Sequence, residues 1–161
     1  MLTANSRALL QSLTLALAIA GSAAIVSPAN AGECPADKMK ANAREKVDYK
    51  PVGVTDVTLG SIDLSKQPAH IEGRELRFRK LTIEPGGIVP WHSHDDRPAL
   101  IYVQQGEIIE YASNCAVPIV HKAADVARET SATSHWWKNT GHNTVTLLSA
   151  DVLHDEHDHN M

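Results

Sequence analysis

From Pro51 onward the chain is written as short runs of Val, Ile, Leu and Thr, cut at close intervals by Gly, Pro, Asn and Asp. β-Branched side chains fit a pleated, half-buried surface, and turn residues at this spacing leave no room for a long helix. The runs cover 54–59, 62–64, 76–83, 88–92, 99–103, 107–112, 118–122, 135–139 and 145–151. Residues 76–83 alternate apolar with polar, the pattern of a strand with one buried face. Gly106 sits in a turn between two runs, and 139–143 reads as another turn. No helical period and no repeat interrupts the pattern, so the expected class is all-β, an antiparallel sandwich or barrel over residues 51–153.

The ends read differently. Arg7 precedes an almost wholly apolar stretch from Ala8 to Val26, and Ala29-Asn30-Ala31 offers the small residues of a signal-peptidase site. Residues 1–31 are therefore expected to be a signal peptide cut after Ala31, rather than a membrane anchor. The mature protein is then periplasmic or secreted, with no membrane attachment. Loss of Arg7 turns a balance of 15 basic against 19 acidic residues into 14 against 19, or −5. Such a surface does not steer towards nucleic acid. Residues 32–50 form an N-terminal segment in which 35–46 suits a short helix, with Pro35 in its first turn. Residues 154–161 carry His154, His157 and His159 among acidic neighbours. They read as a frayed tail or as a loose collector of metal. In an exported protein the pair Cys34 and Cys115 reads as a disulfide tying the N-terminal segment to the body, with two unpaired thiols as the alternative.

The chemistry lies in His92-Ser93-His94 and, far along the chain, His135. Side chains two apart in an extended segment share a face, so the two imidazoles of the first motif point together. Neutral imidazole is a good ligand for divalent transition metals. Gly86 followed after five residues by His92-x-His94 resembles the start of the first cupin signature, and the segment from Tyr102 to Glu107 resembles its ending. The segment from His135 to Gly141 resembles the end of the second signature. The resemblance spans about 76–152. It implies a single jelly-roll, or double-stranded β-helix, barrel with one metal in its mouth. His92, His94 and His135 would be the ligands, and Asn139 would serve the following turn.

Two departures bear on that implication. The family's glutamate seven residues before the glycine falls on Ala99, and Thr130 and Ala132 replace a proline and a glycine of the second signature. The choices are a three-histidine site with open positions, as in cysteine-dioxygenase-like cupins, or a barrel that has lost its metal. Three neutral ligands leave a divalent ion's charge uncompensated, which favours a small anionic ligand or substrate. Iron, manganese, nickel and zinc all remain open.

Neighbouring residues have two readings each. Arg97, set by Pro98, is a carboxylate clamp or a loop ion pair with Asp95, Asp96 or Glu129. Asp96 is a displaced carboxylate ligand or part of that loop. Glu129 hydrogen-bonds a ligand histidine or caps a strand in solvent. Tyr102 donates a proton or packs. Trp137 shares the parity of His135 and suits a pocket wall, whereas Trp91 and Trp136 are expected in the core. His70, His121 and His142 carry no pattern. The functional expectation is an exported metal-binding protein, acting as a small-molecule dioxygenase or isomerase. The alternatives are a non-catalytic binder of a small anion or metal, and a structural barrel in a homodimer.

Overall fold

A computed structural model of the protein describes residues 32–154. The expected signal peptide and the tail histidines His157 and His159 lie outside the described residues. The described chain is an all-β barrel of eight antiparallel strands. They are β1 (Val52–Asp63), β2 (Glu75–Ser93), β3 (Ala99–Gln105), β4 (Glu107–Ala112), β5 (Ile119–Lys122), β6 (Val126–Glu129), β7 (Ser134–Lys138) and β8 (Val145–Leu153). The order is β5-β4-β7-β2-β8-β3-β6, with β1 added against β2. This is the jelly-roll class the sequence implied. Among the described residues no helix is long and apolar enough to cross a membrane.

β2 is the spine, and it fuses two runs that the sequence set apart. Its first half lies between β1 and β8, from Glu75↔Leu153 to Ile83↔Val145. Its second half pairs with β7, from Ile88↔Lys138 to Ser93↔Ser134. The change of partner happens at Gly86-Gly87. Gly86 has φ 77°, and a Cβ on Gly87 would stand 2.7 Å from Ile83 Cγ2. Only glycine suits both positions. Asn139 closes the bend: its N–H donates to Gly87 O and its carbonyl accepts from Gly86 N. The strand therefore continues through a kink instead of ending there.

Alternation in these strands packs Leu81, Ile83, Val89, Ile101, Val103, Ile108, Trp137, Val145 and Leu147 into one core. β6 was not legible as a strand because its polarity is inverted. Val126 faces solvent while Glu129 is buried.

The helix expected over 35–46 is absent, and only a 3-10 turn at Ala36–Lys38 remains. Cys34 is disulfide-bonded to Cys115, with Cα atoms 5.8 Å apart. Met39 forms a bridge with Cys115, and the amides of Lys40 and Ala43 donate to Asn114 O and Ser113 O. These backbone bonds to the body replace the bonds a helix would make within itself. The disulfide joins residues 81 apart. Replacing both cysteines by serine should lower the unfolding free energy by about 2–4 kcal/mol, read from the denaturant midpoint.

Candidate metal centre

The register that builds the barrel also builds the site. His92 on β2 and His135 on β7 are direct cross-strand partners. His94 follows one residue after the end of β2, where its N–H donates to Thr133 O. All three rings are buried. Their Nε2 atoms form a triangle with edges of 3.1 Å (His92–His94), 3.1 Å (His94–His135) and 3.0 Å (His135–His92).

The opposite ring nitrogens decide what that triangle is. His92 Nδ1 is 2.9 Å from Pro90 O, and His94 Nδ1 is 2.8 Å from Arg97 O. A carbonyl oxygen can only accept, so each of these Nδ1 atoms carries a hydrogen. His135 Nδ1 stands 2.7 Å from Glu110 Oε1 and likewise donates. In the neutral rings all three Nε2 atoms then turn lone pairs towards one another, with the Trp137 indole N–H 3.4 Å from that of His135. Such an arrangement is repulsive unless a cation lies between them. Two donors 2.0–2.1 Å from one ion stand roughly 2.9 Å apart at a right angle and roughly 3.4 Å apart at the tetrahedral angle. The observed edges fall between these values, nearer the right angle, so the donor set fits a transition-metal ion. Among the described residues the only other such grouping, Glu110, Glu129 and His135, lies on the Nδ1 side of His135. Among the described residues no carboxylate joins the three histidines.

The protonation of the rings follows from their surroundings. Burial, then the neighbouring His135, pushes His92 well below the usual histidine value and lowers His94 to about 4. Burial works the same way on His135, but the charges of Glu129 and Glu110 outweigh it and raise its pKa. Burial also raises Glu129 to about 7, whereas hydrogen bonds from His121 and His135 overcome burial and hold Glu110 low.

These shifts fix a pH dependence for the metal-free protein. Between about pH 6.5 and 4.5 the unfolded chain binds protons on residues 92 and 94 that the folded protein does not. Glu129 and His135 are coupled, and the proton that this pair holds offsets the two histidines only in part, so stability falls as pH falls. Urea unfolding in chelator should show a lower midpoint at pH 4.5 than at pH 6.5.

The sequence missed Glu110 and His121. Glu110 grips both histidines, since its Oε2 lies 2.8 Å from His121 Nε2. His121 is fully buried and stacks on Trp137 at 4.5 Å between centroids. The signal was parity, because Glu110 alternates with buried Ile108 and Ala112, and His121 with buried Ile119. Glu129 is buried, with Oε2 3.4 Å from His135 Nδ1, and is no solvated cap.

Other expectations move. Asp96 is exposed and binds Arg74 and His154, so it is no displaced ligand. Arg97 is buried, with Nε 3.8 Å from Asp151 Oδ2, and pairs with neither Asp95, Asp96 nor Glu129 among the ion pairs described. Its side chain does not line the cavity beside the triad. Tyr102 is 40% exposed, on the opposite parity from the buried Ile101 and Val103. Trp136 is half-buried outside the core, stacked on Tyr111 at 4.1 Å, and Trp91 is half-buried as well. Trp137 is buried, its Nε1 lies 3.2 Å from His135 Nδ1, and it walls the cavity beside His92 and His94, as its parity indicated. That cavity holds about 20 Å³, space for one or two waters. Asn139 serves the turn, its Nδ2 donating to Ile83 O and Asn143 O.

Residues 79–151 match the family model described as the cupin domain. No curated protein matches the chain. Solved structures similar to it include an RmlC-like cupin from Shewanella frigidimarina, at 18% identity and TM-score 0.49, covering 66% of this chain and 80% of that one. The cupin domain of Schizosaccharomyces pombe Cnp3 matches at 15% identity and TM-score 0.49, covering 67% and 66%. A predicted oxalate decarboxylase from Thermotoga maritima matches at 20% identity and TM-score 0.44, covering 62% and 93%. The chain thus spans just under two thirds of the S. pombe domain.

Proposed function

We propose that this chain, with its cupin-domain match over residues 79–151, is an exported metalloprotein holding one divalent transition-metal ion on His92, His94 and His135. The observation that carries the reading is the triangle of converging Nε2 lone pairs, each imposed by an acceptor on the far side of its ring. When bound, the ion supplies Lewis acidity, and redox chemistry if it is iron or manganese. The chain's own part is to fix three neutral donors, to leave the remaining positions open and to keep bulk water out with Leu81, Val89, Ile101, Leu147 and Trp137. Export is supported by the disulfide of Cys34 with Cys115, a bond suited to an oxidising compartment.

The size of the cavity favours small ligands. A space for one or two waters accepts a small anion or a diatomic gas, and a larger substrate would need the walls to part. This supports metal or small-anion binding ahead of an isomerase acting on a larger molecule. Dioxygenase chemistry requires iron or another redox metal in the site. The test is elemental analysis of the secreted full chain with His154, His157 and His159 replaced by alanine. About one ion per chain is expected. Less than about one ion per ten chains after reconstitution would reject the reading, and iron as the native metal would favour dioxygen chemistry over binding.

A further inference from the structure

The wall made by β1, β2, β8, β3 and β6 turns an apolar face outward as well as inward. Ile62, Leu76, Phe78, Leu100, Tyr102 and Val126 are each 38–54% exposed. Strand register sets them side by side, because directly opposed residues share a sheet face. Ile62 stands opposite Leu76, and Leu76 opposite Val152. Phe78 and Leu100 both stand opposite Ala150, and Tyr102 lies between Leu148 and Val126. This is one continuous patch across five strands, not a scatter of single surface side chains. Its polarity is inverted. Leu76 and Phe78 point out, while Arg77 and Arg79 turn in to the buried Asp151. β6 repeats the inversion, with Val126 outside and Glu129 buried. A strand facing water on its outer side carries the opposite pattern. The charges in these rows are Lys80, beside Leu148, and Arg128, beside Leu100, and Arg128 is paired with Glu33.

We propose that this wall is the interface of a homodimer, in which a second copy of the chain lays the same five-strand face against it. The area is right for that. The six side chains together expose roughly 500–600 Å², the upper end of what a monomer leaves bare. With the half-buried Leu148 and Val152 the patch approaches the about 800 Å² that each partner gives to a standard interface. An isologous contact also meets apolar surface with an equal apolar surface. A two-fold axis along the row of Phe78 and Leu100 sets Lys80 of one copy over the Leu76 row of the other. The two ammonium groups then stay apart, and each stem packs on apolar surface while its head reaches water. Residues 155–161 are polar apart from Met161 and do not match such a face. The inference is independent of the metal reading.

The test is the solution mass of the secreted chain at micromolar concentration, by sedimentation and light scattering. Wild type should weigh twice the single chain. Phe78→Glu and Leu100→Lys should each give a monomer with unchanged circular dichroism. Each should raise the dimer dissociation constant at least about 30-fold, the effect expected at the centre of an interface. Val120→Glu alters an exposed apolar residue on β5, outside this wall, and should stay dimeric. If Phe78→Glu does not fold, Leu100→Lys decides, since that position is the most exposed of the six. A monomeric wild type would overturn the proposal, and its mass spectrum would show whether residues 1–31 or a bound lipid covers the face instead. A dimer that survives both substitutions would overturn it too, and would place the contact elsewhere, such as along the edge of β1.

Discussion

Replacing His92 with alanine is expected to abolish stoichiometric metal binding, with occupancy falling from about one ion per chain to background. The ring supplies one of three donors, and its Nδ1 is already committed to Pro90 O. Among the described residues no other side chain stands ready to fill the gap, since Glu110 and Glu129 lie on the far side of His135. Affinity should drop by more than about 100-fold, beyond what losing a hydrogen-bond partner of a ligand costs. A graded control follows from the same geometry. Glu110→Gln keeps an acceptor for His135 but removes the charge, so it should weaken metal about 10-fold and leave one ion per chain at saturation. Both are read by elemental analysis and competition with a chelator in chains whose tail histidines are alanine. Full occupancy in His92→Ala, with unchanged circular dichroism, would reject the ligand set.

Much of this site was legible because strand alternation is a strict rule. His92 and His94 share a face by spacing alone, and the spacing of Gly86 and Gly106 around them placed both in a barrel of known plan. Position 135 required the second signature, since nothing local says that β7 will lie beside the end of β2. What escaped was polar residues in apolar phase. Glu110, His121 and Asp151 all sit on the buried parity of their strands. A charge in that phase looks like a break in the pattern until its partner from another strand is known, and those partners lie between 11 and 74 residues away. β6 was lost for the same reason in reverse. The N-terminal helix failed because local propensity is weak beside a disulfide and several backbone bonds to the barrel.

The residue with the largest expected effect on the fold is one of those that escaped. Asp151 on β8 is 1% exposed and takes both Nε and Nη2 of Arg77 at 3.1 and 2.7 Å, with Arg79 at 3.3 Å and Arg97 at 3.8 Å. Removing one partner of a buried charge cluster leaves the others desolvated and uncompensated, which costs about 3–5 kcal/mol. Asp151→Ala takes away the carboxylate that Arg77, Arg79 and Arg97 share, while Asp56 still reaches Arg79. The variant should therefore lose at least that much, close to the whole stability of many domains of this size. It should show either a denaturant midpoint shifted by the corresponding amount or no cooperative transition. Asp56→Asn removes a more exposed carboxylate from one arginine and should cost less. A loss below about 1 kcal/mol in Asp151→Ala would mean the arginines find water or each other's counter-charges once it is gone. The cluster would then be no keystone of the barrel.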